Sequence, residues 1–233
     1  MAHIPDFSAF QNKIGVVFKS HELLQMAFTH RSYLNENRHL KLQHNERLEF
    51  LGDAVLELVT TEFLFEKYPT ETEGELTAYR AGLVNTSTLS TVATTLGMND
   101  YLLLSKGEAK DTGRARQYIL ANTFEAVVGA LYLDQGYDAA RDFIAAYVLS
   151  LTDDIVAHRL WQDAKSRFQE IAQEKHSVTP TYETLGETGP DHDRYFTIGV
   201  FLGKQKVAEG RGKSKQEAEQ NAAQNALEAS GWE

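Results

Sequence analysis

The chain has 233 residues, 42% hydrophobic and 24% charged, enough for one large or two small domains with ample core. It has no cysteine, which excludes a disulfide framework and any thiolate metal site, so a bound metal must be held by oxygen or imidazole. The net charge of −10 disfavours a uniformly basic nucleic-acid binder, though phosphate contacts need only a local basic patch.

No apolar run reaches membrane-spanning length, and Met1-Ala2-His3-Ile4-Pro5-Asp6 carries no basic, apolar signal pattern. A cytoplasmic protein with no membrane association is expected. Residues 6 to 40 read as helices, with Leu23, Leu24, Ala27 and Phe28 in helical period. The segment from Ala27 to Tyr33 mixes polar and aromatic residues. No nucleophile or acid is paired with His30 or Arg31, so they are expected to anchor the start of the next helix through hydrogen bonds.

That next helix spans 46 to 65, with no proline, one glycine and apolar positions every three or four residues. Glu46, Glu49, Asp53 and Glu57 fall on one stripe of it, and Leu48, Leu51, Val55, Leu58 and Val59 on the opposite side. Glu49 and Asp53 are neighbours about 6 Å apart along the axis. Adjacent like charges destabilise a helix unless something positive lies between them, and a divalent cation would serve.

Tyr68-Pro69 ends that helix, and Glu73-Gly74-Glu75-Leu76 starts another. Thr86 to Leu96 is a third helical stretch, closed by Gly97. Lys106 to Arg116 reads as a loop. Tyr118 to Tyr132 is apolar nearly all round, which predicts a buried helix. Asn122 and Glu125 are its polar intruders, on one face with Gly129. A buried carboxylate needs a partner. One reading pairs Glu125 with an arginine or a helix end. The other brings its face against the Glu49 and Asp53 stripe around a cation, with Gly52 and Gly129 allowing close backbone approach. Oxygen ligands alone favour Mg²⁺, with Mn²⁺ as a substitute. Residues 137 to 158 read as one last helix.

The composition shifts at Trp161, which divides the chain into expected domains 1–158 and 162–233. Beyond it come a helix from Ala164 to Glu174 and three short strands, Pro180 to Glu187, Tyr195 to Leu202 and Lys206 to Gly210. An alanine-rich helix from Lys213 to Ala229 closes the chain. Lys204, Lys206, Arg211, Lys213 and Lys215 stand against Glu209 alone between 204 and 215, a basic patch in an acidic chain. Lys213 and Lys215 open a helix, where backbone N–H groups already favour phosphate.

Two resemblances follow from these motifs. Asn45-Glu46-Arg47-Leu48-Glu49-Phe50-Leu51-Gly52-Asp53 resembles the signature helix of the ribonuclease III family, and the likeness runs from about residue 10 to 150. The α-β-β-β-α order after Trp161 resembles a double-stranded-RNA-binding domain. It matches at Gln169-Glu170, at Gly189-Pro190-Asp191-His192 and at the run from Gly212 to Glu219. The fold class expected is therefore multidomain: an all-α ribonuclease III-like endonuclease followed by an α+β RNA-binding domain.

The resemblance implies a homodimer that hydrolyses both strands of double-stranded RNA with Mg²⁺, leaving 5′-phosphate and 3′-hydroxyl ends with short 3′ overhangs. It implies rRNA precursors and structured mRNAs as substrates. Glu49, Asp53, Asn122 and Glu125 match the metal-binding positions, and Asp53 and Glu125 the catalytic pair. Asn122 stands where the family often has aspartate. Glu46 and Glu73 match accessory acids, and Phe50 a residue that packs into the partner subunit. In the second domain Gln169, Glu170, Gln173, His192, Lys213, Ser214 and Lys215 match RNA contacts, which read duplex shape more than sequence. Two other classes compete: a duplex-RNA-binding regulator disabled by Asn122, and a structural ribosome-associated protein. Intact Glu49, Asp53 and Glu125 disfavour both.

Overall fold

The fold follows from two long helices that cross at glycines, each buried along most of one side. The structure is a computed structural model and describes residues 5–157, 164–190 and 194–232. The chain divides into two compact units, Met1–Ala157 and His158–Glu233. The expected change of domain at Trp161 lies outside the described residues.

In the first unit, α1 (Ser8–Ile14) ends at Gly15, whose φ of 69° is the left-handed conformation that glycine adopts freely. α2 (His21–Ala27) starts on Ser20, which accepts from the Leu23 N–H. α3 (Arg31–Glu36) starts on His30, whose ring accepts from the Ser32 N–H. α4 spans Glu46–Lys67. α5 (Glu73–Val84) opens with a reciprocal capping box between Thr72 and Glu75, and α6 (Thr86–Thr95) is capped by Asn85. α7 (Arg114–Gln135), α8 (Tyr137–Tyr147) and α9 (Thr152–Ala157) complete the unit.

α4 packs on α7 more extensively than any other helix pair among the described residues. From α4 the core takes Leu48, Val55, Leu56, Val59 and Leu64. From α7 it takes every residue between Ile119 and Leu131 except Asn122 and Glu125. Phe10, Phe28 and Phe124 are fully enclosed. A helix buried on nearly every side between Ile119 and Leu131 sits at the centre of the bundle.

Three expectations need correction. The last helix of this unit is not continuous from 137 to 158: it breaks at Val148, passes through a short 3₁₀ turn at Leu149–Leu151, and restarts as α9. The apolar period runs through the break, so periodicity alone does not reveal it. The stretch from Lys106 to Arg116 is not all loop: it holds a 3₁₀ turn at Glu108–Lys110, and α7 already begins at Arg114. Leu58 does not belong to the buried side of α4. It is 58% exposed, as Phe50 and Phe65 of the same helix are exposed.

The second unit runs α10 (Ala164–His176), β1 (Thr181–Thr188), β2 (Tyr195–Leu202), β3 (Gln205–Gly212) and α11 (Lys215–Ser230). The strands form one antiparallel sheet in the order β1-β2-β3. Phe168, Val200, Ala222, Ala223, Ala226 and Leu227 make its core. The alanines of α11 carry little side chain, so the helix can lie close to the sheet. Trp232 stacks on Phe168 at 5.3 Å and closes the end of this core.

Candidate active site

The chemistry-bearing residues of α4 and α7 meet where the two helices touch backbone to backbone. A β-carbon built on Gly52 would stand 1.8 Å from the carbonyl oxygen of Glu125, and one on Gly129 would stand 2.2 Å from that of Leu48. Real β-carbons do not approach so closely, so only glycine fits either position. The crossing sets Glu49 and Asp53 of α4 beside Asn122 and Glu125 of α7.

The electrostatics record that proximity. Burial pushes the Glu125 carboxyl up to about 8, helped by the charges of Asp53 and Glu49. Burial also raises Glu49, with Glu46 and Asp53 adding to it, while a hydrogen bond from the Asn122 side chain works the other way. No basic side chain is among the groups that set either carboxyl. The arginine partner entertained for Glu125 is therefore not what it meets. An all-oxygen donor set of this kind, crowded with negative charge, fits a hard divalent cation. The carboxylates are not closed into a cage: among the described residues no three of His, Cys, Asp or Glu stand ready to hold an ion as they are.

The other acids of the α4 stripe are engaged elsewhere. Glu46 pairs with Arg31 at 3.2 Å and lies 3.7 Å from His44. Glu57 lies 3.7 Å from Arg80. Glu73 begins α5 and borders a recess with Leu64, Phe65 and Arg80 near the far end of α4. About 18 residues of α4 separate it from Glu46, roughly 27 Å along the axis. Within one chain Glu46 and Glu73 are thus two separate acidic spots, because the Tyr68-Pro69 turn starts α5 beside the C-terminal end of α4.

Polar anchors hold these helices in place, some expected, such as His30, and some not, such as Asn45 and Arg116. Buried Asn45 donates its side-chain amide to the Ala27 carbonyl at 3.1 Å, and its N–H to the Thr29 carbonyl at 2.9 Å. Its place just before the acidic stripe was the only available clue. The His30 ring lies 2.8 Å from the Ser32 hydroxyl, which accepts from the Ser105 N–H at 3.1 Å. Burial holds His30 below its usual range, although Glu108 and Glu46 pull the other way. Its cap on α3 uses the neutral ring as an acceptor. On α7, Arg116 donates to Asn99 and to the Glu108 carbonyl, both at 2.7 Å.

Phe50 is 81% exposed. It borders a recess of about 680 Å³ lined also by Leu23, Met26, Leu48, Leu51 and Leu133.

In the second unit Gln169, Glu170 and Gln173 lie on the exposed side of α10, and Gln173 donates to Thr179 at 3.2 Å. Ser214 caps α11 by accepting from the Glu217 N–H at 3.1 Å, and the Glu217 carboxylate accepts from the Lys213 N–H at 3.0 Å. Lys213 lies over the Tyr195 ring at 5.6 Å and Lys215 over the Phe196 ring at 5.8 Å, both exposed at the start of α11. His192 lies outside the described residues.

An acidic centre built on a helical bundle, on one chain with a small sheet-and-helix module whose last helix opens between lysines, defines a nuclease with an attached RNA-binding unit. Residues 20–152 match the family described as Ribonuclease-III-like, and residues 164–229 match the double-stranded RNA binding motif. Ribonuclease 3 of Bdellovibrio bacteriovorus is 48% identical over 94% of this chain and 94% of its own. Ribonuclease 3 of Bacillus velezensis is 47% identical over 96% of this chain and 90% of its own. The nuclease domain of ribonuclease III from Campylobacter jejuni superposes with a TM-score of 0.57 at 35% identity. It covers 62% of this chain and 97% of its own, in a structure described by flexibility in the region involved in dimer formation. The chain belongs to the ribonuclease III family and is an endoribonuclease of that type. Among the described residues no helix is long and apolar enough to cross a membrane.

Proposed function

We propose that this protein is a cytoplasmic, homodimeric, Mg²⁺-dependent enzyme that cuts both strands of double-stranded RNA. The ends left are 5′-phosphate and 3′-hydroxyl with short 3′ overhangs, and the substrates are rRNA precursors and structured mRNAs. The observation that carries the reading is the half-buried Glu125 carboxyl, set beside the charges of Asp53 and Glu49 with no basic group among those that shift it.

Glu49, Asp53, Asn122 and Glu125 would hold the ion, with Mn²⁺ as a substitute, and Asp53 and Glu125 are the catalytic pair. When bound, the ion supplies Lewis acidity toward water and phosphate oxygens. The rest is the work of the chain's own groups. Without an ion the Glu125 carboxyl keeps its proton up to about pH 8, and a cation beside it would favour the ionised, ligating form. Asp53 stands exposed beside it, with its side chain open to solvent and to an incoming strand. Asn122 orients Glu49 by hydrogen bonding and adds an amide oxygen without adding charge. Glu46 and Glu73 act as accessory acids outside this cluster.

Phe50 and the recess beside it would meet their own copies across a two-fold axis, as an isologous interface requires. Two centres related by that axis would face the two strands of a duplex. The second unit would grip duplex RNA through Gln169, Glu170, Gln173, His192, Lys213, Ser214 and Lys215, reading A-form shape and phosphates.

The test is to incubate purified protein with labelled duplex RNA under titrated Mg²⁺ or Mn²⁺ and to map the product ends. Cleavage to phosphorylated 5′ ends supports the reading. A retained gel shift with no cleavage in either metal would favour a duplex-binding regulator instead.

A further inference from the structure

The open side of α7 extends beyond the residues already assigned. Arg114, Tyr118, Asn122 and Glu125 succeed one another at helical spacings of four, four and three. They therefore share one stripe, with Tyr118 about 6 Å and Arg114 about 12 Å up the axis from Asn122. Asn122 and Glu125 are the only residues of α7 between Ile119 and Leu131 that are not buried. The stripe thus continues into solvent at Tyr118, which is 46% exposed.

The two upstream side chains are already organised. The Arg114 guanidinium lies 5.8 Å from the centre of the Tyr118 ring, and its Nη2 donates to the Tyr118 hydroxyl oxygen at 3.4 Å. That bond occupies the oxygen as an acceptor and leaves the hydroxyl proton free to donate outward. α7 has two arginines. Arg116 is consumed internally by Asn99 and Glu108. Arg114 is exposed and makes no salt bridge among the described residues. Its fork retains donors suited to a phosphate.

The reaction needs such a group. The cluster of Glu49, Asp53 and Glu125 repels a polyanion, and a cation on the same stripe offsets that repulsion where the strand must pass. We propose that Arg114 and Tyr118 form a substrate-positioning subsite. Arg114 holds a backbone phosphate of the strand being cut, and the Tyr118 hydroxyl donates to a ribose 2′-hydroxyl beside the scissile bond. The pair thereby gives the nuclease unit its own means of distinguishing RNA from DNA, independent of the second unit. The inference rests on the reading of Asn122 and Glu125 as the reaction centre.

The test compares the full-length protein with Arg114→Ala, Tyr118→Phe and Glu125→Gln. The substrates are a duplex RNA with one defined cleavage site and versions carrying single 2′-deoxy substitutions around that site. Arg114→Ala should lower kcat/KM and reduce the slope of log(kcat/KM) against log salt by about one, the signature of one lost phosphate contact. Tyr118→Phe should keep the wild-type melting temperature and cut the all-RNA duplex about three- to tenfold less efficiently. One deoxy substitution should slow the wild type by a similar factor and leave Tyr118→Phe unaffected. The proposal is overturned if Tyr118→Phe remains as sensitive as wild type to every deoxy position, or if Arg114→Ala keeps the wild-type salt slope. An active Glu125→Gln would instead sink the reaction-centre reading itself, so the two failures are separable.

Discussion

Gly52 presses on the backbone of Glu125 so closely that a β-carbon on one would fall 1.8 Å from the carbonyl oxygen of the other. Neither group is a flexible side chain, so Gly52→Ala can be accommodated only if α4 and α7 move apart. Overpacking of this kind costs about 3 kcal/mol. For a unit of this size that lowers the melting temperature by roughly 6 to 12 °C. The separation would also draw Glu49 and Asp53 away from Asn122 and Glu125. Gly52→Ala should therefore show a raised Mg²⁺ requirement for cleavage at temperatures where it is still folded, with duplex binding by the second unit intact. Calorimetry and a metal titration check this, and a variant with wild-type melting would refute the contact.

That crossing was legible in the sequence because an acidic stripe and a glycine-bearing polar face each stood out from an apolar period. The long helices and the α-β-β-β-α order were legible for the same reason. Leu58 and Phe65 were not, since a hydrophobic period cannot tell a face turned to the core from one left uncovered. The break at Val148 was hidden because the apolar pattern runs across it. His30 and Arg31 were legible as anchors, but not that His30 would cap α3 while Arg31 reaches Glu46 at the start of α4. Asn45 bonds the Ala27 and Thr29 carbonyls, a tertiary contact that spacing does not encode.

Glu125 links metal-free stability to pH. Its folded carboxyl lies at about 8, raised by burial and by Asp53 and Glu49 from an ordinary value of 4.5. A raised acid is protonated more readily in the folded state. The stability it contributes is therefore full below about 4.5 and is lost as pH rises through 8. In EDTA the melting temperature should fall between pH 5 and pH 9, and the fall should be smaller in Glu125→Gln, which cannot ionise. Above pH 8 the variant should be the more stable of the two, and Mg²⁺ should narrow the gap. Glu125→Gln should still shift duplex RNA yet fail to cut it. Parallel melting curves in wild type and variant would contradict the assignment.

Asn122 donates a hydrogen bond to Glu49 in place of contributing a charge. Asn122→Asp removes that donor and adds a negative group to the cluster. Without metal, repulsion should rise and the melting temperature at pH 8 should drop. With metal, the extra anionic ligand should move the Mg²⁺ midpoint for cleavage several-fold lower. Thermal shift and cleavage over the same Mg²⁺ series measure both effects, which must run in opposite directions. A higher midpoint in Asn122→Asp would argue against Asn122 as a ligand.

Phe50 exposes 81% of its surface beside a recess lined by Leu23, Met26, Leu51 and Leu133. An aromatic anchor seated in an apolar pocket is the usual energetic centre of an interface. Phe50→Ala should weaken self-association by about 2 kcal/mol, roughly thirtyfold in Kd, without lowering the stability of an isolated unit. Sedimentation over a concentration series reads this directly. Cleavage of both strands in one encounter should become rarer, so nicked duplex should accumulate as an intermediate. Unchanged sedimentation would remove Phe50 from the interface.

Lys213 and Lys215 flank the cap of α11 and hold their charged ends near the Tyr195 and Phe196 rings. The cap itself uses the Ser214 oxygen and the Glu217 carboxylate, so the lysines can be changed while the helix start is kept. Lys213→Ala with Lys215→Ala should weaken binding to every duplex alike and reduce the salt slope by about two. Ser214→Ala attacks the cap instead and should cost about 1 kcal/mol of stability in the second unit. The two variants separate charge from architecture: only the first should flatten the salt dependence. A loss confined to particular RNA sequences in the lysine variant would mean that these side chains read bases rather than phosphates.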